Sequence, residues 1–161
     1  MTDEKKENLS RVVPSGEGRR FDVLGAHLVW KARGEDTEDT FTVAEQTLMP
    51  NEGIPKHRHP YPELFFILSG EVEFTLYKND SEELYTVKQG DAIFVSADTY
   101  HSSINMSGEK ATLLDIASYI HQKFFDAVDE EAPQWGALKA EDVMERVGVI
   151  AQQHTMEFYQ P

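Results

Sequence analysis

Three of the six histidines fall into two short clusters, and the first cluster also holds a carboxylate. It reads Gly53-Ile54-Pro55-Lys56-His57-Arg58-His59-Pro60-Tyr61-Pro62-Glu63. His57 and His59 are two positions apart, so on an extended segment both imidazoles point to the same side. Glu63 can bring a carboxylate to that side after the turn imposed by Pro60 and Pro62. Two imidazoles and a carboxylate from one short segment suit a divalent transition metal. The second cluster, Gly90-Asp91-Ala92-Ile93-Phe94-Val95 and then Ser96-Ala97-Asp98-Thr99-Tyr100-His101, presents a further imidazole just beyond an apolar run. Tyr61 and Tyr100, each beside a cluster, are candidates to donate a hydrogen bond to a bound substrate. Phe65 and Ile67 share strand parity with Glu63 and are candidates to line an apolar pocket near it. The remaining histidines, His27, His121 and His154, are isolated and read as satisfied surface or core residues. Asn105 reads as closing a turn, and the acidic run Glu35-Asp36-Thr37-Glu38-Asp39 as a solvated loop.

Short strands must position these groups. In Glu71-Val72-Glu73-Phe74-Thr75-Leu76-Tyr77, Val72, Phe74 and Leu76 share one face while Glu71, Glu73 and Thr75 share the other, the alternation of a half-buried strand. The run from Glu63 to Leu68 is apolar on both faces, as a strand buried between two layers would be. Similar runs lie at 26–33, 40–49, 92–95 and 113–117, separated by turn residues such as Gly34-Glu35-Asp36, Pro50-Asn51 and Gly90-Asp91. Many short strands at this spacing predict an all-β sandwich or barrel over residues 21–119. Residues 1–20 are polar and charged and read as a flexible arm. The last 40 residues change texture. Phe124, Phe125 and Val128 fall on one helical face that Pro133 ends, and Ala140, Val143, Val147, Ile150 and Ala151 mark a second amphipathic helix. A short helical extension packed on the barrel is therefore expected over residues 120–161.

Composition bounds the function. The length of 161 residues suits one domain, and a 40% hydrophobic share is enough for one core. Fifteen Lys and Arg against 29 Asp and Glu give a net charge of −14, which repels phosphate backbones and anionic lipid, so nucleic acid and membrane are not expected as partners. The absence of cysteine excludes disulfides, thiolate metal sites and a cysteine nucleophile. The opening residues carry no apolar stretch of the kind a signal peptide needs, and a cytoplasmic location is expected.

The two clusters resemble the paired motifs of the cupin superfamily. Its first motif has Gly, His-x-His, Glu and Gly, and His57, His59, Glu63 and Gly70 match its spacing. Its second motif runs from Gly through Pro-x-Gly to His and Asn, and Gly90, His101 and Asn105 match. The departures lie in turns: three residues separate Gly53 from His57 where the family has five, and Ser96 and Asp98 replace the Pro and Gly. Beyond the motifs, the stretch Trp30-Lys31-Ala32-Arg33-Gly34-Glu35-Asp36-Thr37, the Phe124-Phe125 helix and the Glu157-Phe158 tail look like small single-domain cupins of the quercetin 2,3-dioxygenase-like kind.

That resemblance implies a conical antiparallel barrel, the double-stranded β-helix or jelly roll. It also implies one metal ion per chain, held by His57, His59, Glu63 and His101, and a homodimer. Three imidazoles and one carboxylate leave one or two positions open on a five- or six-coordinate ion. With no thiolate available the candidates are iron, manganese, nickel, cobalt, copper or zinc. The leading expectation is a dioxygenase acting on an enol or phenol of flavonol type, with Glu63 as ligand and as the base that takes the hydroxyl proton. The alternatives are a non-catalytic small-molecule-binding or sensor protein and a metal-dependent sugar isomerase. The isomerase reading needs cations for a phosphate, and only Lys56 and Arg58 lie near the motif.

Overall fold

The alternation of apolar and polar side chains is realised as two antiparallel sheets in this computed structural model, which describes residues 10–159. In chain order the strands are β1 (Arg20–Val23), β2 (Ala26–Ala32), β3 (Phe41–Leu48), β4 (Gly53–Arg58), β5 (Glu63–Ser69) and β6 (Glu71–Lys78). Next come β7 (Ser81–Lys88), β8 (Ala92–Val95), β9 (Tyr100–Ile104) and β10 (Ala111–Ser118). Two helices, α1 (Tyr119–Glu131) and α2 (Ala140–Gln153), precede the last strand, β11 (Glu157–Phe158). One sheet has the order β1-β2-β3-β10-β5-β8 and the other β11-β4-β9-β6-β7. The fold is thus mostly β, a jelly-roll barrel with helices near its C-terminus.

Two glycines fix where strands meet. A Cβ on Gly53 would lie 2.1 Å from the carbonyl oxygen of Ser103, so only glycine lets β4 approach β9 this closely. Gly70, between β5 and β6, has φ +76° and is packed against Ala111, which admits no other residue without strain.

Several details depart from the expectations. Strand β7 had no clear signal because it is an edge strand in which only Val87 is buried, so its apolar alternation is nearly absent. The run from Glu63 to Leu68 is not covered on both faces: Phe66 is exposed and Leu64 and Leu68 are half-buried. The C-terminal extension does not end in helix, since β11 returns to pair with β4 through Glu157↔Arg58 and Phe158↔His57. Residues 1–9 of the expected arm lie outside the described residues. The arm's remainder lies on the barrel, where Lys31 Nζ donates to the carbonyls of Pro14 and Glu17 and Trp30 N to that of Arg19. The acidic run is partly built into the fold: Gly34–Asp36 is a 3-10 turn whose Gly34 N–H donates to Gln122 of α1 at 2.7 Å.

The buried apolar residues form two clusters. One fills the barrel with Leu48, Phe65, Ile67, Val72, Phe74, Leu76, Val87, Ile93, Val95, Ala111 and Leu113. The other joins β1, β2 and β3 to the helices through Phe21, Leu28, Trp30, Phe124, Val128, Trp135, Val147, Ile150 and Met156. Ser118 caps α1 by accepting from Ile120 N. No helix among the described residues is long and apolar enough to cross a membrane.

Candidate metal centre

Strand register brings the four expected ligands together between the two clusters. His57 on β4 lies directly opposite His101 on β9. Their rings approach to 4.2 Å between centroids. His59 follows β4 at the turn, and Glu63 opens β5 with its side chain facing inward from the other sheet. All four residues are buried. One donor atom from each lies within 4.8 Å of every other.

The outer ring nitrogens decide which way the imidazoles face. His57 Nδ1 donates to the carbonyl of Pro55 at 2.9 Å, His59 Nδ1 to that of Tyr61 at 2.8 Å, and His101 Nδ1 to that of Thr99 at 2.9 Å. A carbonyl only accepts, so each Nδ1 carries a proton and each ring turns its Nε2 inward. This is the arrangement in which protein carbonyls orient metal-binding histidines. The Nε2 atoms of His59 and His101 lie 2.9 Å and 3.1 Å from the same oxygen, Glu63 Oε2. Two ring nitrogens facing a carboxylate oxygen require a proton or a cation between them. The donor set, with no thiolate, suits a divalent metal ion.

Electrostatics agree. Burial, reinforced by His101, pushes the His57 imidazolium down to about 3, so that ring is neutral at any ordinary pH. Burial alone would raise the Glu63 carboxyl, but the charge of His121 and hydrogen bonds from His101 and His59 override it and hold it well below the carboxylate range. A neutral imidazole and an ionised carboxylate are the forms that bind metal.

Beside this centre lies a second buried group that the sequence reading missed. His121, expected to be an isolated histidine, projects from α1 to within 3.5 Å of Glu63 Oε1 and 3.3 Å of Asp115 Oδ2. Its Nδ1 meets the hydroxyl of Tyr61 at 3.0 Å. Asp115 faces inward from β10, opposite Phe65 and diagonal to Glu63, which pairs with Ala117. Burial and the nearby Glu63 charge push the Asp115 carboxyl up to about 7, because two adjacent buried carboxylates do not both ionise cheaply. Those same carboxylates raise His121 above its ordinary value against the effect of burial. The available signal was Asp115 itself, a lone acid at the inward parity of the apolar run 113–117.

An apolar cavity of about 110 Å³ opens from His57, Glu63 and His101 toward the helices. Phe65, Phe124, Phe125, Val128, Met156 and Phe158 contribute to its wall. One water needs roughly 10–15 Å³ on this measure, so the space takes several water-sized groups. Asp115 and His121 also face it, and no lysine or arginine among the described residues does.

The other expected pocket residues separate. Phe65 lines the cavity, while Ile67 is packed inside the barrel cluster. Tyr61 stacks on the His59 ring at 4.2 Å and braces His59 and His121 instead of lining the cavity. Tyr100 faces an outer cleft, where it donates to the Glu157 carboxylate and lies under Arg58. Adjacent strand residues point to opposite sides, so the inward His101 turns Tyr100 outward. Asn105 is structural, as expected, with Nδ2 donating to the carbonyls of Leu48 and Glu109. His27 pairs with Asp22 and Glu52, and His154 caps the end of α2.

Comparisons with known proteins agree with this geometry. Residues 44–117 match the family model described as a cupin domain. The fold is that of the cupins. The polyketide cyclase RemF from Streptomyces resistomycificus is 22% identical and superposes with a TM-score of 0.60, covering 69% of this chain and 80% of its own. KdgF from Halomonas sp. is 16% identical with a TM-score of 0.58, over 68% of this chain and 93% of its own. A Bacillus subtilis oxalate decarboxylase variant is 21% identical with a TM-score of 0.55 over 62% of this chain. This chain spans only 27% of that decarboxylase. No curated protein sequence matches this chain. At these identities the likeness is one of fold alone, and the cupin fold carries unrelated chemistries.

Proposed function

We propose that this chain is a metal-dependent cupin whose ion binds a small enol or phenol in the apolar cavity, and that it catalyses oxidation of that molecule by dioxygen. The observation that carries the reading is the inward turn of three Nε2 atoms and the Glu63 carboxylate at the end of an apolar cavity. His57, His59, Glu63 and His101 would hold the ion. When bound, it would lower the pKa of a coordinated hydroxyl and let an electron-rich substrate meet dioxygen. Glu63 has two faces for the work: Oε2 is directed at the histidines and Oε1 at His121. It can therefore accept the substrate's hydroxyl proton while His121 stays beside it. Tyr61 keeps the His59 ring in place by stacking. Phe65, Phe124 and Phe158 exclude water and offer aromatic faces to a flat substrate.

A sugar-phosphate isomerase is the weaker reading. Lys56 Nζ is occupied by the faces of Tyr77 and Tyr159 at 3.9 Å and 4.0 Å, and Arg58 by Glu157 at 2.7 Å. Both lie outside the cavity, and no lysine or arginine among the described residues lines it to grip a phosphate.

Oxygen uptake by protein loaded in turn with iron, manganese, nickel, cobalt, copper or zinc, against a panel of flavonols and simple enols, tests the proposal. Metal-dependent uptake lost in His101→Ala is the expected result. Ligand binding at the metal with no uptake for any metal would replace the oxygenase by a binding protein.

We also propose a homodimer formed by the outer face of the first sheet. Across it run Val43, Ile116, Leu64 and Phe94 in register, an apolar row with Phe94 60% exposed. Sedimentation should give a dimer that Phe94→Glu dissociates, and a wild-type monomer would end this reading.

A further inference from the structure

Glu63 is the one candidate ligand that could give the ion two atoms at once, and its two oxygens meet different neighbours. Oε2 lies 2.9 Å and 3.1 Å from the inward nitrogens of His59 and His101. Oε1 turns the other way, to within 3.5 Å of His121 Nε2. Asp115 shares a side-chain hydrogen bond with Glu63, and its Oδ2 lies 3.3 Å from the same His121 nitrogen. Glu63, Asp115 and His121 thus form a buried triangle in which each member meets the other two.

Two corners of that triangle are fixed from outside the metal centre. Asp115 is carried by β10, which pairs with β5 beside Glu63. His121 lies in the first turn of α1, whose start is set by the Ser118 cap. Its Nδ1 meets the Tyr61 hydroxyl at 3.0 Å, and Phe125, one turn further along α1, packs edge-on against the ring at 5.0 Å. The ring is therefore braced by Tyr61, Phe125 and Asp115, which keeps its Nε2 beside Glu63 Oε1. This matters for coordination, because a carboxylate binds a divalent ion through one oxygen or through both. Binding through both would fill a position that a small molecule in the cavity needs, and partners that hold a ligating carboxylate decide between the two.

We propose that Asp115 and His121 are positioning residues: they hold the second oxygen of Glu63 off the ion, so that Glu63 binds through Oε2 alone and a further coordination position stays open to the cavity. The proposal rests on the reading of His57, His59, Glu63 and His101 as a metal centre. It goes beyond that reading by giving β10 and the first turn of α1 a part in the centre, exercised through Glu63 and without contact with the ion.

Cobalt-loaded wild type, Asp115→Ala and His121→Ala, each titrated with azide through the visible cobalt bands, test this. Azide needs one open position on the ion and no particular substrate site. Wild type should take up azide, and each alanine variant should bind it about tenfold or more weakly, with cobalt content unchanged. That is the size of effect given by one hydrogen bond to a charged group. Asp115→Asn and His121→Gln keep an N–H that can donate to Glu63, and both should bind azide as wild type does, a rescue that a purely structural role would not produce. A wild type that holds cobalt but takes up no azide, or takes it up no better than the alanine variants, overturns the positioning role and leaves the metal centre standing. If wild type holds no cobalt, the metal centre fails and the positioning role fails with it. Should the alanine variants lose cobalt or fold poorly, a crystal structure of cobalt-loaded wild type decides. Glu63 Oε1 beyond about 2.6 Å from the ion supports the proposal, and both Glu63 oxygens within that distance overturn it.

Discussion

The two ends of the barrel interior share strands β5 and β10 yet are filled in opposite ways. At one end Phe74, Ile67, Val72 and Leu113 are almost wholly excluded from solvent and belong to one apolar cluster. At the other, strands β4, β5, β9 and β10 turn His57, Glu63, His101 and Asp115 to the same interior, with the helices and β11 closing over them. Along β5 the change takes three inward positions: Glu63 at the centre, Phe65 at the cavity wall, Ile67 in the packed end. The packed end holds the register so that the polar end keeps a donor set that would be expensive to bury without an ion or ligand.

The largest expected effect lies in the packed end. Phe74→Ala removes a wholly buried ring and should cost about 3–5 kcal/mol, lowering Tm by about 10 °C. The variant should still bind metal with near wild-type affinity wherever it is folded. Loss of metal affinity out of proportion to the loss of stability would mean that the two ends are not separable.

Metal removal should have an effect of similar size at the other end. With free metal a thousandfold above Kd, binding to the folded state adds about 4 kcal/mol, so chelation should lower Tm by about 10 °C. His101→Ala should abolish that difference between metal-loaded and chelated protein, and Phe74→Ala should keep it. Differential scanning fluorimetry with and without chelator measures both, and identical Tm values in the wild type would remove the metal from the stability of this fold.

The pH dependence separates the ends further. In metal-free protein His57 protonates at about 3 when folded but at 6.5 when unfolded. Below 6.5 the unfolded chain therefore takes up a proton at His57 that the folded one does not, and stability is lost as pH falls toward about 3. At about 1.4 kcal/mol per pH unit, this contribution is about 2 kcal/mol between pH 6.5 and pH 5. Asp115 and His121 act with the opposite sign, because their raised values favour the folded state as pH falls through theirs. The clean measurement is thus the stability of wild type relative to His57→Gln by urea titration. That difference should move against the wild type by about 2 kcal/mol over the interval, and a difference that stays flat would contradict the buried neutral ring.

The sequence announced these two ends unequally. Period-two alternation made β6 legible, and the spacing of His57, His59, Glu63 and His101 pointed to a candidate metal-binding set that strand parity brings together. What stayed hidden depended on contacts between elements. Within its own helix His121 meets only the Phe125 ring among the contacts described, and its meeting with Asp115 and Glu63 exists because α1 folds back over β10. Strand β11 is two residues long and is defined by pairing with β4. Strand β7 shows almost no alternation because solvent reaches most of it. Tyr100 is the contrary case, since its outward direction could have been read from its place next to His101.

The smallest effect on stability should come from β11, where the polar end is closed by few contacts. Phe158 is half-buried, lies over the His57 ring with centroids 5.7 Å apart, and belongs to a pairing of only two residues with β4. Phe158→Ala should cost about 1 kcal/mol, well below the Phe74 substitution, because only part of the ring's area is lost to solvent. The candidate metal ligands are carried by β4, β5, β9 and the turn after β4, so metal content should not change. The ring does form part of the cavity wall, so its removal should speed both association and dissociation of a metal-anchored phenol, with the larger change in dissociation. Stopped-flow mixing of cobalt-loaded wild type and Phe158→Ala with catechol measures both rates. Unchanged rates would mean that ligands reach the ion by another opening and that β11 is only an edge strand of its sheet.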